Sequence, residues 1–266
     1  MSPDLVFALA LAVKMGVAAA FVVIASTITE RAGPLIGAMV TTLPVSAGPA
    51  YVFLALDHGS AFIAASALTS LAVNAVTTLF ALTYAMVAQR WNLAISLPVS
   101  LGVWLLGASA CVRVEWTLAN AMILNAAVFA VAIPLSHRYQ HAKMPLVRRR
   151  WYDVPLRACM VACLVASVVG LSTRVGPAFT GVLAVYPMVL TSLMLILQPR
   201  IGGPATAAVI AHTIWGLAGF GAALATLAAT AVPLGAPAAL TLALAVSVGG
   251  NVVIWLWRRR ERESRK

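Results

Sequence analysis

Two groups of hydroxyl-bearing residues each flank a proline inside a long apolar run. Thr41, Thr42 and Ser46 surround Pro44; Tyr186, Thr191 and Ser192 surround Pro187. A proline within a helix has no N–H and frees the carbonyl one turn before it, here on Val40 or Leu183. Freed carbonyls beside hydroxyls can bind a polar solute, or the hydroxyls can simply satisfy them, as transmembrane helices allow. The chemistry is that of reversible binding rather than bond cleavage.

Pro44 and Pro187 are 143 positions apart, and the same ungapped shift superposes Arg31-Ala32-Gly33-Pro34 on Arg174-Val175-Gly176-Pro177, Gly59 on Gly202 and Lys14 on Arg157. The chain therefore reads as two copies of one unit. In each copy the Gly-Pro opens a helix, where a missing N–H costs little. The second proline comes ten residues later, ~15 Å along the axis and close to the middle of a ~30 Å hydrocarbon core.

Lys14 and Arg157 form a matched pair of intramembrane cations, a residue class that often marks a substrate path. Each lies ~25 Å from the arginine of its own repeat motif, Arg31 or Arg174, which puts it near the opposite membrane face. There it either snorkels or draws anions into a vestibule. His212 and Asn125 both fall ~15 Å into their spans. A histidine there can relay protons or, like Asn125, Asn74 and Asn251, hold helices together. Thr69 occupies the position matching His212, so the histidine is not part of the repeat.

All seven acidic residues lie at span ends or in the tail. That disfavours a carboxylate proton relay and a cationic solute, and leaves a neutral or anionic one; Na⁺ coupling through carbonyls and hydroxyls stays open. No nucleotide-binding loop, zinc motif or nucleophile elbow is present. Neither an enzyme activity nor a cofactor or metal is expected. Cys159 and Cys163 share a helix face but have no third ligand nearby.

The elements that position these residues follow from composition. At 62% hydrophobic and 9% charged residues, with a mean hydropathy of +0.97, the chain is an all-α polytopic membrane protein. A β-barrel would alternate apolar and polar residues over much shorter segments. Nine spans are expected, at 5–29, 34–56, 60–88, 92–112, 116–136, 154–173, 177–197, 204–231 and 236–257. Residues 1–112 form the first membrane repeat, 113–152 a linking helix and basic loop, 153–257 the second repeat and 258–266 a basic tail. The N-terminus lacks the basic flank of a secretory signal, so the first helix is expected to be retained.

The net charge of +11 gathers in the 137–152 loop and the tail. Beside membrane helices such charge marks the cytoplasmic face rather than a nucleic-acid partner. The expected location is a bacterial inner membrane, N-terminus outside and C-terminus cytoplasmic. The unpaired fifth helix then inverts the second copy, an arrangement of secondary transporters. The expected partners are a small-molecule solute, the lipid bilayer and a second copy of the chain. The alternative is a scaffold or accessory protein whose basic segments bind anionic lipid or another protein.

From Arg174 through Trp257, the Gly-Pro helix start, the Tyr186-Pro187 break, the Gly202-Gly203 joint and the Ala-rich span with Trp215 resemble the GlpM-like family of small bacterial inner-membrane proteins. Arg31 to Arg90 is similar, more loosely. The resemblance implies a four-helix unit working as a pair, here fused, and carries no functional residues with it.

Overall fold

The computed structural model describes residues 3–31, 47–142 and 150–263, and every regular element among them is helical. The helices are α1 (Pro3–Arg31), α2 (Ala47–Asp57), α3 (Ser60–Val87), α4 (Leu93–Val112), α5 (Leu118–His137), α6 (Asp153–Ala184), α7 (Met188–Ile201), α8 (Gly203–Leu234) and α9 (Ala236–Glu263). Six of them, α1, α3, α4, α5, α6 and α8, are long and apolar enough to cross a membrane. The apolar parts of α2, α7 and α9 are shorter.

The joints follow local chemistry. Thr117 caps α5 by accepting from Asn120 N–H at 3.2 Å. Gly202 and Gly235, which precede α8 and α9, both have φ near +81°, a conformation that a side chain would strain.

Of the expected span 34–56, only the α2 portion lies among the described residues. The expected joint between 154–173 and 177–197 falls at Gly176 (φ 74°, ψ 175°), where the backbone of α6 leaves the helix before Pro177, and the chain breaks a second time at Val185–Pro187 before α7. Gly176 tolerates this backbone because it lacks a Cβ, and Pro177 restarts the helix after it.

α3 is the central helix. Most of its apolar stretch is buried, whereas α1 is largely exposed and packs chiefly on α6. α3 packs against α4, α5 and α6, and most extensively against α8, which in turn holds α9. α3 and α8 run antiparallel. At one end Ala236 N–H donates to Ser60 Oγ at 3.2 Å, and at the other the Ala88 carbonyl rests on Gly203.

Shifted by 143, Ser60 and Leu93, the first residues of α3 and α4, fall on Gly203 and Ala236, the first residues of α8 and α9. Asp57, the last residue of α2, falls on Arg200 near the end of α7. α5 has no counterpart, and it packs on both α3 and α8.

Candidate functional site in the bundle interior

The break between α6 and α7 is built by a close backbone approach. Gly181 lies so near α3 that any Cβ there would overlap the Ser66 carbonyl. The contact allows Ser70 Oγ to donate to the Gly181 carbonyl at 2.6 Å. With its single proton so used, Ser70 accepts from the Tyr51 hydroxyl at 2.7 Å. α2, α3 and α6 are thus joined by one buried hydrogen-bonded chain.

Beyond Ala184 the backbone turns. Tyr186 N–H donates to the Leu183 carbonyl at 3.1 Å, so the carbonyl expected to be freed by Pro187 is satisfied by the turn itself. Tyr186 sits edge-on to Trp104 with ring centroids 5.0 Å apart, and Trp104 Nε1 donates to Thr77 Oγ1 at 3.0 Å. Ser192 Oγ donates to the Val189 carbonyl at 2.7 Å and has no proton left for a solute. The Thr191 hydroxyl is buried without a partner.

A second polar group lies where α3, α5 and α8 meet. Asn74 Nδ2 donates to Asn125 Oδ1 at 3.0 Å and to the Leu217 carbonyl at 3.1 Å. Asn125 Nδ2 donates to the carbonyls of Leu71 (2.7 Å) and Ala121 (2.9 Å). A Cβ at Gly221 would crowd Asn74 Nδ2, so the absence of a side chain there lets the amide reach α8. Asn125 is therefore a joint between helices, with both amide protons already used.

The two ends of the bundle are closed differently. At one end Lys14 Nζ lies 2.5 Å from Asp57 Oδ2, and His58 Nε2 is 2.8 Å from Ser172 Oγ. At the other Arg200 Nη2 lies 2.5 Å from Asp153 Oδ1, with Tyr84 Oη (2.6 Å) and Ser96 Oγ (3.0 Å) both reaching Gln198 Oε1. Gln198 Nε2 donates to the Trp91 carbonyl at 3.1 Å. An open cleft of about 440 Å³ lies over this hub, lined by Trp91, Asn92, Leu93, Pro199 and Gly202 among others.

Lys14 does not stand alone: its ammonium closes on a carboxylate from the end of α2. Arg157 adds positive charge near Asp153. Beside it, Arg150 donates to the Tyr152 hydroxyl at 3.0 Å, which holds that phenol below the usual tyrosine range. Arg174 and His212 are exposed. Thr41, Thr42, Pro44, Ser46 and the Arg31 side chain lie outside the described residues.

Among the expected residues, Tyr186, Pro187, Thr191 and Ser192 are brought together and Asn125 lies on the neighbouring α3–α5–α8 joint. Gln198, Tyr84, Ser96, Ser70 and Tyr51 were missed. A lone amide such as Gln198 in the apolar run Leu195-Ile196-Leu197 is a legible signal, but its partners lie about a hundred positions away. Comparison with family models, curated proteins and solved structures finds no match.

Proposed function

We propose that this protein is a secondary transporter of a small neutral or anionic solute, working by alternating access between two inverted repeats. The observation that carries the reading is the antiparallel pairing of α3 with α8, helices that begin at positions matched by the 143-residue shift and cross where Asn74 meets Leu217. An axis through that contact would exchange α1 with α6, α2 with α7 and α4 with α9. α4 packs on α7, and its counterpart α9 packs on α2. Exchanging the conformations of two such halves opens one end as the other closes.

The ion pairs support the same scheme. Asp57 and Arg200 are matched positions of opposite charge, and each pairs with a residue on the long helix preceding it: Lys14 on α1, and Asp153 on α6, one turn before Arg157. Each end therefore has a lock that can break without breaking the other. The solute site is the α6–α7 break, with Pro44 marking its twin. The GlpM-like unit would supply one half of the pair. The basic 137–152 loop and the tail face the cytoplasm of a bacterial inner membrane.

The deciding measurement is solute flux in liposomes containing the full chain. Flux that collapses in Pro44→Ala with Pro187→Ala supports the scheme. Absence of flux for every neutral and anionic solute tried, with an unchanged cellular phenotype in that double variant, rejects it.

One observation favours the second reading, a membrane scaffold. Trp151 is 86% exposed beside Arg150, an aromatic and a cation suited to an anionic headgroup layer. Loss of function on deleting residues 258–266, with an intact bundle, would favour it.

A further inference from the structure

The N-terminus of α7 is an incomplete structure. It is a 14-residue helix that starts after Pro187 beside the buried Leu190 and Thr191, and no side chain caps it. Met188 N–H folds back onto the Tyr186 carbonyl at 2.7 Å, and Thr191 N–H is the first to bond one turn back, to Pro187 at 2.8 Å. Between them, Val189 and Leu190 N–H have no backbone acceptor among the described residues. A helix end away from water normally has such donors satisfied, because each one left open costs about 1–3 kcal/mol.

The Thr191 side chain points to a ligand independently of the backbone. It is 5% exposed, and its Oγ1 has no hydrogen-bond partner, not even the Pro187 carbonyl one turn back that threonines in helices commonly use. Helical Cα–Cβ bonds tilt toward the N-terminus, so this hydroxyl projects over the same open first turn. Tyr186 adds a half-buried phenol whose hydroxyl meets no partner among the described residues. Two backbone N–H groups and the Thr191 hydroxyl therefore lie open at the positive end of a helix dipole, and no carboxylate among the described residues is bonded to them.

We infer that the α7 N-terminus binds the carboxylate of a small organic monoanion, with Val189 and Leu190 N–H and the Thr191 hydroxyl on its oxygens and the Tyr186–Trp104 pair against its apolar body. This rests on the transport reading for its purpose but not for its test. The aromatic pair distinguishes an organic acid from an inorganic oxyanion, which has no apolar part to place there.

The test is equilibrium binding to the detergent-solubilised full chain, read as the thermal shift produced by benzoate, with benzyl alcohol and inorganic phosphate as comparisons. Benzoate should raise Tm saturably, with at least tenfold higher affinity than either comparison. Thr191→Val keeps the shape and removes the hydroxyl. It should weaken benzoate about tenfold while the ligand-free variant melts no lower than the parent, because an unsatisfied hydroxyl has been removed. Thr191→Ser should retain binding. Phosphate binding better than benzoate, no saturable shift with benzoate or acetate, or equal benzoate affinity in Thr191→Val would each overturn the inference. Saturable benzoate binding without flux of any solute would leave the site standing and sink the transport reading; neutral-solute flux without carboxylate binding would do the reverse.

Discussion

Asn74 donates its amide to the backbone carbonyl of Leu217 at 3.1 Å, and the two positions are separated by the 143 residues that superpose the sequence motifs. Under the proposed inverted repeat, a two-fold axis between matched helices would bring a residue against its own counterpart in this way. Asn125 of the unmatched α5 completes the contact. Asn74→Ala removes two hydrogen bonds and should destabilise the solubilised protein by about 1–2 kcal/mol. Asn74 and Asn125 should be coupled in a double-mutant cycle of thermal melts; simple additivity would mean that their bond contributes nothing.

Backbone contact at two glycines sets the helix spacing. Gly181→Ala would drive a methyl into the Ser66 carbonyl, and Gly203→Ala one into the Ala88 carbonyl, neither of which can rotate away. Each should cost about 1–3 kcal/mol. Gly59→Ala, at φ −72° with open space around it, should stay within about 0.5 kcal/mol of the parent. Melting temperatures that do not separate the two classes would contradict these contacts.

The two ion pairs should differ in strength. The Lys14–Asp57 side chains are 17% and 33% exposed, those of Arg200–Asp153 13% and 10%. Screening by water should hold the loss in Asp57→Asn to about 1 kcal/mol or less. Asp153→Asn leaves a guanidinium in less exposed surroundings without its counter-ion and should cost more than Asp57→Asn. Chemical denaturation of both variants in one detergent checks the order, and a reversed order would contradict the geometry.

Gln198 holds α3, α4 and the α3–α4 joint to α7 through three hydrogen bonds. Gln198→Leu should loosen that end selectively. With Cys111, Cys159 and Cys163 replaced, Ala94→Cys beside the cleft should react with a maleimide several-fold faster when Gln198→Leu is added. A cysteine at Val114, beyond the far end of α4, should be unaffected. Equal acceleration at both positions would show general loosening instead.

The carboxylate site predicts that Thr191→Val separates two properties that usually fall together. The ligand-free protein should gain or hold stability, while benzoate affinity falls about tenfold, which corresponds to about 1.4 kcal/mol of binding energy.

Much of the architecture was legible without coordinates. Apolar runs long enough to span a bilayer fix helices, since a backbone in lipid must satisfy its own hydrogen bonds. Ser60, Leu93 and Ala236 begin helices within one residue of the expected positions, because Gly59, Asn92 and Gly235 end the preceding patterns. The Tyr186-Pro187 break was visible for the same local reason: proline cannot donate to the turn before it. Tertiary structure alone decided which polar groups are consumed and which are open. Ser192 and Asn125 looked like solute ligands in sequence but are satisfied by Val189, Leu71 and Ala121, whereas Thr191, of the same type and only one residue from Ser192, is not. Likewise, Lys14 meets Asp57 and Tyr84 meets Gln198 across 43 and 114 positions. Hydrogen bonding and charge pairing depend on distances of a few ångströms between separate helices, and no local pattern in a chain encodes how those helices cross.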